Sequence, residues 1–282
     1  MKRGQAYGGG AASGGSFQES AIPIILIAIL AIFVAGKFGI IDMSGVPVLN
    51  SIFPAPKITV GVVGRASQDM KNLLASEDFR VAGVMYAGDI DQKVVYPGTL
   101  NNFDVIVLQG DSVCDRTARK AVADRVKAGG KLIVIQDACI RVSDDRAAYG
   151  WDVGIGSLGD VMPVVGGGVT KELEVLQTAP VDGKLKIIDG EHPVFNGVKN
   201  FGFHSTVTAI TIPKPNSNIL AYIDASSIGK VTAPSLFAIV ESKGLFSGKT
   251  MYFAFDPATV AQQGTGRNMF LNTLLYLRGA KG

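Results

Sequence analysis

The stretch Val126–Ala138, VKAGGKLIVIQDA, contains the unit from which the fold is predicted. It closes a helical pattern over 115–128, in which apolar residues form one stripe and Gly129-Gly130 supplies the end signal. The β-forming run KLIVIQ follows at once. An amphipathic helix that passes directly into an apolar strand is typical of a βαβ unit in a parallel sheet.

The same alternation recurs along the chain from Lys57. The runs KITVGVVG (57–64), RVAGVMYA (80–87) and FDVIVLQGD (103–111) are apolar on both faces and are separated by helical segments. Beyond about residue 165 the strands follow one another with short turns, and no linker separates them from the first half. We therefore expect an α/β fold, a Rossmann-like or flavodoxin-like mostly parallel sheet with helices on both faces, which the second half extends.

The N-terminal residues differ in composition from the rest. Residues 1–20 form a Gly/Ser-rich tail, residues 21–41 (AIPIILIAILAIFVAGKFGII) match a transmembrane helix in length, residues 42–56 form a proline-containing linker, and the folded domain occupies 57–282. Lys2 and Arg3 precede the apolar run. The pattern predicts a retained signal-anchor in the cytoplasmic membrane, in contact with lipid, with the N-terminus inside and the large domain outside.

Charge and composition exclude one class of partner. The net charge is +3 and the basic residues are scattered along the chain, so we expect no nucleic-acid binding. Gly166-Gly167-Gly168 follows no clear strand, and no metal-ligand spacing is present. The sequence therefore predicts neither a cofactor nor a metal ion.

Four short motifs resemble the class I glutamine amidotransferase-like superfamily, in particular its divergent trehalose-utilisation-like branch. They are FDVIVLQGD (103–111), VKAGGKLIVIQDA (126–138), GSLGDVMPV (156–164) and EHPVFNGV (191–198), and GKTMYFAFD (248–256) is similar to the late strand of that fold. Together they cover most of 57–279. The resemblance implies a sheet whose central strand leads into a catalytic elbow.

Active members of that superfamily carry a cysteine nucleophile on this strand-to-helix elbow and activate it with a His and an acid. The end of KLIVIQ places Asp137, or alternatively Ala138, at the elbow, so Cys139 falls one or two residues too late and has no flanking glycine. His192 resembles the His-Pro of the superfamily, but Val194 stands where the acid belongs. Cys139, Asp137 and His192 are thus weak catalytic candidates, and we expect a domain without catalysis.

The two cysteines follow neighbouring β-runs. Cys114 lies five residues beyond Gln109, and Cys139 lies three residues beyond Gln136. If these strands are adjacent and parallel, both cysteines leave the same sheet edge at a separation that a disulfide can bridge. Buried free thiols and a nucleophilic Cys139 are the alternatives, and we predict the disulfide.

Acidic residues gather where the predicted strands end, which is where α/β sheets bind ligands. Candidates at this edge are Asp111, Asp115, Asp144 and Asp145. Helix capping is the alternative role, and Asp111 or Ser112 is well placed to cap the following helix.

Three functions are consistent with these patterns. The first is a membrane-anchored, catalytically silent amidotransferase-like domain that serves as an accessory or scaffolding subunit of a membrane or cell-surface complex, with other membrane or surface proteins as partners. The second is an exported hydrolase or amidase that uses Cys139 or an aspartate-lined site. The third is a structural subunit of a surface filament.

Overall fold

The computed structural model describes residues 26–32, 34, 57–110, 112–154, 157–165, 178–208, 212–225, 236–243 and 248–279. The chain divides into two compact units, Met1–Pro56 and Lys57–Gly282. Of the first unit, residues 26–32 and 34 are described. They are helical and exposed.

The predicted transmembrane span requires correction. No helix within the described ranges is both long enough and apolar enough to cross a membrane. On this finding, the prediction of a single-pass protein in the cytoplasmic membrane, N-terminus inside, was wrong. The remainder of 21–41, the tail 1–20 and the linker 42–56 lie outside the described residues.

The second unit is built around a sheet with nine strands among the described residues. They are β1 Ile58–Val63, β2 Val84–Ile90, β3 Val105–Leu108, β4 Lys131–Ile135, β8 Thr178–Ile187, β9 Phe201–Thr208, β11 Ser217–Ala225, β12 Leu236–Ser242 and β13 Lys249–Phe253. Their order across the sheet is β2-β1-β3-β4-β13-β12-β11-β8-β9. The described residues also form two small two-stranded sheets. They are β5 Arg141–Val142 with β6 Asp145–Tyr149, and β7 Val164–Val165 with β10 Ile212–Pro213.

The described helices of this unit connect or cover the strands. They are α1 Gln68–Leu74, α2 Glu77–Val81, α3 Pro97–Leu100, α4 Arg116–Lys127, α5 Pro257–Val260 and α6 Gly266–Gly279. The predicted helix over 115–128 is confirmed as α4, and it buries the predicted apolar stripe.

The sheet is mixed, and its two halves differ in direction. From β2 to β13 the strands are parallel, whereas β13, β12, β11, β8 and β9 pair antiparallel. Every residue of β3 is buried, so side chains on both faces of this strand are covered. In contrast, β9 alternates buried and exposed residues over most of its length. The predicted α/β class and the extension of one sheet through the second half are confirmed.

The antiparallel half curls back towards the parallel half. Thr208 of β9 donates its backbone N–H to the carbonyl of Ala254 at 2.8 Å, and Val207 forms an antiparallel bridge with Phe255. Residues 254–255 directly follow β13, so β9 returns to the strand from which the antiparallel half begins. Phe203 and Phe255 pack edge to face inside this curl, with ring centroids 5.1 Å apart.

Candidate functional site

A cleft of about 430 Å³ opens at the carboxyl ends of the parallel strands. Strand β1 pairs with β2 on one side and with β3 on the other, so the strand order reverses between β1 and β3. A crevice at such a switch point is the usual ligand site of open α/β sheets. The cleft is lined by Arg65, Ala66, Ser67, Gln92, Gln109, Gly110, Ser112, Gln136 and Asp256.

Gln109 holds two walls of this cleft together. It directly follows β3, and its side chain is buried. Its Nε2 donates to Ser67 Oγ at 2.8 Å and to Asp256 Oδ2 at 2.6 Å, while its Oε1 accepts the Ser67 N–H at 3.0 Å. One amide therefore joins the loop after β1 to the loop after β13.

Asp256 is a carboxylate of the cleft whose acidity is altered. Its Oδ1 accepts the backbone N–H of Ala258 at 2.9 Å, which caps α5. Burial raises the pKa of Asp256 above its ordinary value of 3.8, and the charge of Asp69 acts in the same direction. The hydrogen bonds from Ala258 and Gln109 oppose that shift without cancelling it. Perturbed carboxyl groups of this kind are typical of functional clefts.

The elbow after β4 is formed by Gln136, and this corrects the prediction that placed Asp137 there. The strand ends at Ile135, one residue earlier than the run KLIVIQ suggested, and Gln136 has a φ of 56°. A non-glycine residue in this left-handed region costs about 1–3 kcal/mol. Gln136 Nε2 donates to the carbonyl of Thr206 at 3.0 Å, so the elbow side chain is tied to β9.

The structure joins Cys114 and Cys139 in a disulfide, with their Cα atoms 4.9 Å apart. The strand geometry behind that prediction is confirmed, because β3 and β4 are adjacent and parallel. Both cysteines are buried, and the Cys139 N–H also donates to the Ser112 carbonyl at 2.7 Å. With its sulfur bonded, Cys139 has no thiol to act as a nucleophile.

His192 lies at the opposite edge of the sheet from the elbow. Its Nε2 is 3.3 Å from Oε2 of Glu241, which lies near the end of β12, beside the start of β13. The cleft is at the other end of β13. His192 Nδ1 accepts the N–H of Val194 at 3.4 Å and caps a short 3-10 helix, Pro193–Phe195. The acid missing at Val194 is thus supplied by another strand, but the pair is remote from the elbow.

The acidic candidates divide between capping and surface pairing. Asp111 lies outside the described residues. Asp115 Oδ1 accepts the N–H of Ala118 at 2.6 Å, so Asp115 caps α4, the role that the sequence suggested for Asp111 or Ser112. Asp144 accepts the N–H of Arg116 at 3.3 Å, and Asp145 pairs with the Arg116 guanidinium. These contacts bring all three to the start of α4.

Asp137 lines a second, smaller cavity of about 250 Å³ beside the cleft. The two cavities share Gly110 and Ser112. Within the described ranges, no group of three or more His, Cys, Asp or Glu residues is arranged to hold a metal ion.

Sequence reasoning missed most of the residues that form the cleft. Arg65, Ser67, Gln109 and Asp256 each follow a parallel strand by one to four residues, in VVGRAS, VLQGD and YFAFD. Their shared position after a strand was the available signal, because the carboxyl ends of parallel strands meet at one sheet edge. Gln92 follows β2 in the same way. Of these residues, Gln92 and Gln109 are neutral amides, which carry no charge to mark them as candidates in the sequence.

The known proteins that resemble this chain do so in structure. Neither a scan against protein-family models nor a search of curated proteins found a match. A putative ThuA-like protein from Bacteroides uniformis aligns over 79% of this chain and 92% of its own, at 14% identity and a TM-score of 0.57. A cytoplasmic protein from Salmonella typhimurium aligns over 78% and 98%, at 17% identity and a TM-score of 0.51. A second putative ThuA-like protein, from Parabacteroides merdae, aligns over 80% and 91%, at 14% identity and a TM-score of 0.50.

The chain has a fold similar to that of ThuA-like proteins. This supports the amidotransferase-like fold that the sequence motifs suggested. Identities of 14–17% show the fold alone, so the chemistry must be argued from the residues of this chain.

Proposed function

We propose that residues 57–282 form a catalytically silent amidotransferase-like domain that acts as an accessory or scaffolding subunit of a protein complex. The observation that carries the proposal is the elbow. Gln136, a residue without a nucleophilic group, occupies the left-handed position after β4, and both cysteines of the chain are joined to each other. The thiol on which the chemistry of the superfamily depends is therefore missing from its expected place.

The edges of the sheet support a role in partner binding. On strand β9, Gln263 covers part of the outer edge, because it bonds both the N–H and the carbonyl of His204, at 2.8 and 2.6 Å. Strand β2, at the other end of the sheet, pairs on one side with β1. Unpaired strand edges are sites at which another chain can add a strand.

Exposed apolar side chains lie beside this edge, which pairs with no second strand among the described residues. Met85 on β2 is 44% exposed, and Val81, just before the strand, is 75% exposed. Val94 and Tyr96, in the segment after β2, are 47% and 55% exposed. A partner strand on β2 would cover apolar surface in addition to making backbone hydrogen bonds.

Two measurements test the two parts of the proposal. To test the absence of catalysis, turnover of glutamine and of p-nitrophenyl acetate is compared between the unaltered protein and Cys139→Ser, with folding checked by circular dichroism. We expect both proteins to match the buffer rate. Turnover that falls in Cys139→Ser while folding is retained would establish a thiol enzyme and reject the silent domain.

For the accessory role, a photo-crosslinking residue is placed at Met85 and, as the control, at Thr117 on the exposed surface of α4. We expect one defined partner to be crosslinked from position 85 and not from position 117, and a complex of fixed stoichiometry in light scattering that Met85→Lys abolishes. A protein that stays monomeric, with the same crosslinks from both positions, would reject the role.

A hydrolase that uses an aspartate-lined site is the second candidate, and Asp256 is the observation that favours it. Its raised pKa and its place in the cleft suit a group that takes part in proton transfer. The same turnover assays separate this candidate from the first. Activity lost in Asp256→Asn but kept in Cys139→Ser would identify an acid–base enzyme.

A further inference from the structure

We propose that a cavity of about 360 Å³, at the sheet edge where β12 ends and β13 begins, binds a carboxylate with a short apolar chain, either free or at the end of a peptide. This edge is opposite to that of the elbow, because the elbow follows the end of β4, which runs parallel to β13. The inference goes beyond the accessory role and does not depend on it, since binding is measured without a partner protein.

The charge of the described cavity lining is positive. It contains Lys127, Lys214 and Lys243 against one acid, Asp160. Lys127 Nζ is 2.7 Å from Asp160 Oδ2, and Lys214 Nζ is 2.9 Å from Oδ1 of Asp152, which lies behind the lining. Lys243 has no acidic partner among the described residues, so one positive charge remains uncompensated. A carboxylate supplies the single negative charge that is missing.

Three polar side chains lie together at this unpaired charge. The Lys243 N–H donates to the Asn216 carbonyl at 2.9 Å, which places these two residues side by side, and the side-chain amide of Asn216 has no partner among the described residues. Ser242 Oγ accepts the N–H of Thr250 at 2.9 Å, while its own O–H has no acceptor in the described ranges. An ammonium, an amide and a hydroxyl can therefore donate to a carboxylate, which only accepts.

The opposite wall of the cavity is apolar. Val126 at the end of α4 lines it together with Val161, Met162 and Pro163, and all four side chains are buried. An apolar chain against this wall is removed from water, and each buried methylene raises affinity by up to about 4-fold. The volume of the cavity is within the range of small-molecule sites. The ligand should therefore carry a short apolar chain next to its charge.

Backbone contacts fix the shape of the cavity before a ligand binds. The Gly248 N–H donates to the Val126 carbonyl at 2.6 Å, and the Lys214 N–H donates to the Pro163 carbonyl at 2.8 Å. A Cβ at Gly248 would lie 1.7 Å from the Gly130 carbonyl oxygen, so only glycine allows this approach. A free carbonyl at the end of a helix would repel an anion, but that of Val126 is occupied.

Three probes that share parts of the ligand test this class by NMR titration of the full chain. Hexanoate has both the charge and the apolar chain, hexanamide has the chain without the charge, and acetate has the charge without the chain. We expect hexanoate to bind at least about 5-fold more tightly than either of the others and to shift the amide signals of Lys243 and Gly248. Added salt should weaken hexanoate binding, because salt screens an exposed charge.

Two further probes distinguish the sources of the carboxylate. They are N-acetylleucine and a longer peptide that ends in leucine, both with a free carboxylate. Tighter binding of the longer peptide would assign the cavity to a peptide terminus, and equal or weaker binding would assign it to a free carboxylate.

Two variants locate the binding in this cavity. Lys243→Gln keeps a hydrogen-bond donor but removes the unpaired charge of an exposed side chain, so the fold should tolerate it while affinity for hexanoate falls about 5-fold and its salt dependence decreases. The matched control is Lys184→Gln, an exposed lysine of β8 outside the cavity, which should leave affinity unchanged. Asn216→Ala should weaken hexanoate binding about 3-fold.

Each part of the inference has a result that would overturn it. Equal binding of hexanamide and hexanoate would reject recognition of the carboxylate, and equal binding of acetate and hexanoate would reject the apolar chain. Unchanged affinity in Lys243→Gln, or amide shifts confined to the cleft at the other edge of the sheet, would place the ligand elsewhere. The absence of binding by hexanoate and by both leucine probes would reject the site.

Discussion

Opening the bond between Cys114 and Cys139 should destabilise the domain by an amount that follows from its position in the chain. The two residues are 25 apart, and a crosslink closing a loop of this length restricts the unfolded chain by about 3.5 kcal/mol. Reduction removes this restriction without deleting an atom of the core. At about 2–4 °C per kcal/mol for a domain of this size, the Tm should fall by roughly 7–14 °C.

The assay is equilibrium unfolding in urea with and without a phosphine reductant. The control is the double variant Cys114→Ala/Cys139→Ala, which should unfold at lower urea than the oxidised protein and be indifferent to the reductant. Both sulfur atoms are buried, so the variant should also lose packing that reduction alone leaves in place. Alkylation of the unreduced, unfolded protein, read by mass spectrometry, counts the free thiols directly.

Two results would refute this reasoning. Two alkyl labels on unreduced protein would mean that the thiols are free. Equal unfolding midpoints with and without reductant, despite a proven bond, would mean that the crosslink does not restrict the unfolded chain as the loop length requires.

For three further substitutions, the structure predicts the direction of the change in stability. Gly61→Ala should destabilise the domain by about 1–3 kcal/mol in urea unfolding, because its Cβ would lie 2.5 Å from the Phe103 ring. The control is Gly202→Ala, which has open space around it and should cost less than about 1 kcal/mol. Arg119→Met should cost about 1–3 kcal/mol, since the buried guanidinium donates to the carbonyls of Gly150 and Trp151 at 2.6 and 2.8 Å, and the exposed Lys120→Met is its control. Burial alone would raise the pKa of Glu241, but the hydrogen bonds from His192, Tyr276 and Lys249 lower it below 4.5. A carboxyl group whose pKa is lowered by folding stabilises the fold at pH values above its unfolded-state pKa. The difference in free energy of unfolding between the unaltered protein and Glu241→Gln should therefore be constant from neutral pH to about 4.5 and decrease below that pH. A difference that grows on acidification would contradict the assignment.

The parallel half of the sheet was predictable because its signals are local. Strands such as β3 and β4 are buried on both faces and read as continuous apolar runs, and α4 shows a regular apolar stripe closed by two glycines. Their adjacency then placed the two cysteines on one edge. Each of these inferences needed a single stretch of sequence or a pair of neighbouring stretches.

The elbow and the cleft were harder to predict because they depend on strand ends and on distant contacts. Moving the end of β4 by one residue exchanges Asp137 for Gln136 at the strained position, and residue preferences do not fix an end that closely. The bond between Gln109 and Asp256 joins residues 147 apart in the chain. The apolar run 21–41 misled for a different reason: length and hydropathy describe a segment's preference for lipid and do not by themselves show that it spans a membrane.

In the proposed silent domain, the elbow position has a structural role in place of a catalytic one. The left-handed backbone of Gln136 costs conformational free energy, and the contacts of this residue must offset that cost. Its N–H donates to the Phe253 carbonyl at 2.7 Å and its Nε2 to the Thr206 carbonyl at 3.0 Å, so one residue links the parallel strands to the end of the curled antiparallel half. A cysteine at this position would keep the backbone bond but would be too short to reach β9. Under the proposed function, the long amide therefore stabilises the closure of the sheet at the position where the superfamily carries its nucleophile.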